Sequence, residues 1–72
     1  MKTETIKIKT EYIKLEQALK YAAVTATGGE AKNVIADGLV TVNGEVCTMR
    51  GKKLRPGDSI GIDVYQFVIE GE

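Results

Sequence analysis

The chain has no histidine and no tryptophan, a single cysteine, a single proline and a formal net charge of zero across its 72 residues. Each scarcity closes off a class of function. Without histidine, no side chain has an ordinary pKa suited to proton transfer near neutral pH, and the common zinc ligand sets are missing. The lone Cys47 cannot form an intramolecular disulfide, so a reducing, cytoplasmic setting is expected. It falls in an expected strand with no activating neighbour and reads as a small apolar filler. The opening MKTETIKIKTEYIK alternates charge with β-branched residues, unlike a secretory signal, and nothing approaches a membrane span. No GxxxxGK[ST] or GxGxxG loop occurs, so no nucleotide cofactor is expected. The neutral balance argues against a protein that coats nucleic acid indiscriminately.

A hydrophobic fraction of 43% is ordinary for a folded protein. The length allows one domain, residues 1–72, with a small core: about 60% of the unfolded surface is buried at this size. Thr5 to Lys9 alternates with period two, so Ile6 and Ile8 should face the core and Lys7 and Lys9 the solvent. Leu15, Ala18, Leu19, Ala22 and Ala23 recur at helical spacing, predicting a first helix over 15–24. Thr27-Gly-Gly-Glu30 has the Thr-x-x-Glu capping-box spacing, predicting a second helix with Ala31, Val34 and Ile35 inward and Gly38 as its left-handed terminator. Leu39 to Val42 and Glu45 to Met49 read as a hairpin about a type I′ turn at Asn43-Gly44. Gly51 to Asp58 reads as a loop. Ser59–Val64 and Gln66–Ile69 follow as strands, with Tyr65 near their junction. The expected class is α+β, two short helices packed on a small, mostly antiparallel sheet.

Charge is unevenly placed. Arg50, Lys52, Lys53 and Arg55 have no acid among them, whereas Asp58, Asp63, Glu70 and Glu72 follow with no base. A charge run often marks nothing more than a solvated face. Here it adjoins a hairpin, and arginine forks suit phosphate. With Lys32 added from the second helix, five cations would point to RNA or DNA rather than a small acid. Gly28 and Gly29 open that helix at a cost, relative to alanine, of roughly 1 kcal/mol each. They either ease the backbone into the helix or let a phosphate approach its unpaired N–H groups. Both readings stay open. Of the aromatics, Tyr65 and Phe67 are expected to pack in the last strands, leaving Tyr12 and Tyr21, so no stacking platform is expected.

The order of helix, Thr-x-x-x-Ala-Lys helix, Ile-x-x-Gly-x-Val-x-Val-Asn-Gly hairpin and terminal Gly-Asp-x-Ile strand resembles the RNA-binding domain first seen in small-subunit ribosomal protein S4, whose core is the αL motif. Ile35, Gly38, Val40, Val42, Asn43, Gly44, Gly57, Asp58 and Ile60 carry the pattern, over roughly residues 13 to 64. TGGEAK and RGKKLRPGD are similar to the small stand-alone bacterial proteins of the YaaA/YbcJ type. The resemblance implies RNA binding without catalysis, to ribosomal or transfer RNA, and association with the ribosome. By position the resemblance implies Thr27, Gly29 and Lys32 at the RNA-facing helix start and Arg50, Lys52 and Lys53 on the adjoining basic segment; the reading of the residues themselves adds Gly28 and Arg55 as RNA contacts. At Thr27-Gly28 the chain departs from the Ser-Arg common in the broader family. That departure motivates a second class, a protein-interaction domain that keeps the fold without binding RNA. A third, a β-grasp sulfur carrier, shares the Val-Asn-Gly-Glu hairpin but needs a C-terminal Gly-Gly, where this chain has Glu70-Gly71-Glu72.

Overall fold

The computed structural model describes residues 2–72. Its elements are β1 (Lys2–Ile8), β2 (Ile13–Lys14), α1 (Leu15–Tyr21), α2 (Gly28–Ala36), β3 (Val40–Val42), β4 (Glu45–Val46), β5 (Lys53–Leu54), β6 (Ser59–Ile62) and β7 (Tyr65–Gly71). Five strands form one sheet in the order β1-β7-β6-β3-β4, and β2 pairs with β5 in a separate two-stranded ladder. All pairings are antiparallel except β1 with β7. The α+β expectation of two helices on a mostly antiparallel sheet is met.

Alternation places one face of this sheet inward. Ile6 and Ile8 of β1, Phe67 and Ile69 of β7, Ile60 of β6 and Val40 and Val42 of β3 are all buried. Leu15, Ala18 and Leu19 from α1 and Ala31 and Ile35 from α2 close over them at helical spacing. Ala18 and Ala31 are both fully buried where the two helices pack together. Lys7 and Lys9 stay in solvent, as the alternation required.

Each helix ends on a left-handed residue. At α2, Gly38 (φ 75°) donates its N–H to the Ile35 carbonyl, and Leu39 donates to Val34. These are the two bonds of a Schellman motif, with glycine where expected. At α1 the same pair of bonds forms from Ala23 to Lys20 and from Val24 to Leu19. Here the left-handed position holds alanine, with φ 60°. The first helix therefore stops at Tyr21 rather than Val24, at a terminator that no glycine marks in the sequence. The turn at Asn43-Gly44 has positive φ at both residues, 52° and 88°, as a type I′ turn demands.

Three further boundaries differ from expectation. β1 begins at Lys2 and runs in register with β7, pairing Ile6 with Ile69. The hairpin's return strand ends at Val46, since the Cys47 N–H makes its last bond to Val40 and the chain then leaves the sheet for the start of α1. The final hairpin turns at Asp63-Val64, with Tyr65 already paired to Ile62 inside β7. Leu54, expected in a loop, is fully buried in β5.

Candidate nucleic-acid interface

The basic segment is held rigidly by its own backbone. Lys52 donates its N–H to the Met49 carbonyl at 3.1 Å, closing a turn. The carbonyls of that turn then take the first donors of α1: Leu15 N–H bonds Lys52 O at 2.9 Å, and Glu16 N–H bonds Arg50 O at 3.1 Å. A helix start normally leaves such N–H groups to solvent or a ligand. In α1 they are spent on fixing Arg50 and Lys52 in place. Gln17 Oε1 accepts a further one, from Lys14, at 3.3 Å.

Pairing of β2 with β5 brings in a cation that sequence spacing did not reveal. Lys14 lies directly opposite Lys53. Opposed residues of an antiparallel pair project from the same face, so two exposed ammonium groups are set side by side. That arrangement costs stability unless something negative lies between them. Lys53 Nζ sits 4.9 Å from the centroid of the Tyr12 ring, a cation–π contact that anchors it. Among the described residues, the only ion pair is an exposed one between Lys9 and Glu72 at 3.9 Å. Lys14, Arg50, Lys52, Lys53 and Arg55 form no salt bridge among the described residues.

One acid tempers this cluster. Asp58 Oδ2 accepts the Arg55 backbone N–H at 2.8 Å, and Oδ1 accepts from Asn43 Nδ2 at 3.2 Å. The Arg55 bond above all, then the Asn43 bond, with the charges of Lys52 and Arg55 behind them, hold the Asp58 carboxyl below its ordinary value despite some opposing desolvation. The run of cations is therefore not wholly without a compensating acid, as its sequence suggested: the fold bends Asp58 back toward it.

The second expected patch lies at the start of α2. Thr27 Oγ1 accepts the Glu30 N–H at 3.2 Å, which is the N-cap half of the predicted capping box. Gly28 and Gly29 are exposed and neither has positive φ. A Cβ at Gly28 would meet nothing within 4 Å, and at Gly29 only Thr27 Oγ1 at 3.8 Å. Neither backbone conformation nor packing requires glycine at either position. Lys32 is exposed one turn further on. No hydrogen bond or ion pair among the described residues joins Gly28–Lys32 to the basic segment.

Residues 6–70 match the S4 domain family. The chain belongs to that family. It is also 45% identical over 60 residues to the probable ribosome maturation protein RlbA of Bacillus subtilis (strain 168), covering 83% of this chain and 84% of that one. Within this S4 domain, the residues most typical of the sequence pattern do structural work. Asn43 Oδ1 accepts the Ser59 N–H at 3.0 Å while its amide reaches Asp58, so the Val-Asn-Gly turn and the Gly-Asp turn are clamped together. No cluster of metal-ligating side chains occurs among the described residues. No helix among them is long and apolar enough to cross a membrane.

Proposed function

We propose that this S4 domain is a non-catalytic binder of structured RNA, acting in the cytoplasm on ribosomal RNA or a ribosome-assembly intermediate. The observation that carries the reading is the opposed, unneutralised pair Lys14 and Lys53 beside the rigid turn that presents Arg50 and Lys52. Backbone bonds fix where Arg50 and Lys52 stand, so only their side chains remain to be ordered when they meet the phosphates of a shaped RNA backbone. Arg55 and Lys32 extend the positive surface, and the N–H groups of Gly28 and Gly29, beside the Thr27 cap, offer a second phosphate contact. The resemblance of this chain to a protein described as a probable ribosome maturation factor supports ribosomal over transfer RNA as the target.

Salt-dependent binding to ribosomal RNA fragments tests the reading. Each phosphate contact steepens the fall of log affinity with log salt by roughly 0.7 to 0.9. The Lys52→Ala, Lys53→Ala double variant should bind more weakly and with a slope shallower by about 1.5. Unchanged affinity and slope would remove the basic segment from the interface.

A further inference from the structure

The sequence offered too few aromatics for a stacking platform, yet the fold places two of them on the wall of one open groove. Tyr12, Lys14, Gln17, Lys20 and Tyr21 line it, over about 790 Å³. Gln17 and Tyr21 lie four residues apart on the exposed face of α1, and Lys14 stands immediately before that helix at its N-cap. Tyr21 is 65% exposed, which leaves its ring open to a partner. Tyr12 is half-buried, and its ring carries Lys53 at 4.9 Å. That contact joins the groove to the basic segment, making one continuous surface with cations along it and an open ring at its far end.

A ring face flanked by ammonium groups matches a nucleotide whose base is unstacked. A duplex hides its base faces, so such a nucleotide must come from a bulge, loop or strand end next to the helical RNA. Glu11 also lines the groove, and its negative charge limits how many phosphates the groove can hold. We infer that this groove takes one unpaired RNA base, stacked on Tyr21, with its flanking phosphates on Lys14 and Lys20. The inference rests on the RNA-binding reading above and names the part of the RNA that its α1 face would recognise.

The test uses two RNA hairpins with the same stem, one fully paired and one carrying a single bulged nucleotide. Base–aromatic stacking predicts that the wild-type domain prefers the bulged hairpin by about tenfold. Tyr21→Ala should lose that preference while keeping its affinity for the paired hairpin. Tyr21→Phe should retain the preference, and circular dichroism should show all variants folded. The Arg50→Ala, Lys52→Ala variant, which leaves the Lys53–Tyr12 contact in place, should weaken binding to both hairpins in equal proportion. A wild-type protein that does not distinguish the hairpins, or a Tyr21→Ala variant that binds both like the wild type, overturns the groove and leaves RNA binding standing; the second outcome is also the one expected if a protein side chain occupies it. Failure of the wild type to bind either hairpin overturns both readings together.

Discussion

Asn43, at the tip of the β3–β4 hairpin, donates its side-chain amide to Asp58 Oδ1 at 3.2 Å, tying together two turns 15 residues apart. The same carboxylate holds the Arg55 N–H, so one acid sets both the hairpin and the end of the basic segment. Because these bonds favour the ionised form, the folded carboxyl titrates below its ordinary value of 3.8. A depressed folded pKa contributes stability that is complete above the unfolded pKa and is lost as pH falls through the folded one. Denaturant unfolding measured from pH 7 down to pH 2.5 should therefore show a decline beginning near 3.8. Asp58→Asn should flatten that decline. At neutral pH the same substitution should cost about 1 kcal/mol, the scale of a half-exposed charge-assisted bond.

A second prediction concerns the end of α1. Ala23 occupies the left-handed position of a Schellman motif, with φ 60°. A side chain there costs roughly 1 to 2 kcal/mol, partly offset by the greater unfolded-state freedom of glycine. Ala23 is exposed, so removing its methyl group leaves no cavity. Ala23→Gly should raise unfolding stability by about 0.5 to 1 kcal/mol in denaturant titrations. No gain, or a loss, would mean that the strain at this turn is relieved elsewhere.

What the sequence made legible follows from how local each feature is. The α2 cap at Thr27, its stop at Gly38 and the turn at Asn43-Gly44 depend on residues within a few positions, and all three stand where they were expected. Strand alternation likewise assigned Ile6 and Ile8 to the core. The parallel pairing of β1 with β7 joins the two ends of the chain and leaves no local trace. β2 and β5 are two residues each, too short for any periodicity, so Leu54 looked like loop and nothing marked Lys14. The candidate site was therefore half visible. Composition exposed the Arg50–Arg55 cluster, but only the ladder that pairs Lys14 of β2 with Lys53, and the groove lined by Lys20 and Tyr21 of α1, add the remaining cations and ring.

Opposed lysines give the third prediction. Like charges directly across an antiparallel pair are destabilising, by a few tenths of a kcal/mol at exposed positions. Lys14→Gln should therefore stabilise the free protein slightly at low ionic strength, with the gain fading as salt screens the pair. RNA affinity should move the other way, falling by about threefold to tenfold with a shallower salt slope. Opposite signs for stability and binding, measured on one variant, separate a ligand-directed cation from a merely solvated one.

The glycines that open α2 allow the same separation at the other patch. Neither Gly28 nor Gly29 is required by its φ, and an added Cβ meets open space at Gly28 and an ordinary contact at Gly29. Alanine is the better helix former, by up to about 1 kcal/mol in helix interiors and less in the first turn. Gly28→Ala and Gly29→Ala should each raise stability by a few tenths to about 1 kcal/mol in denaturant unfolding. If these positions are bare so that phosphate can reach the N–H groups, the methyl groups should weaken RNA binding about fivefold or more while leaving the salt slope nearly unchanged, because no charge is removed. Variants that gain stability and bind RNA like the wild type would show that the glycines serve neither packing nor the ligand, and would confine the interface to α1 and the basic segment.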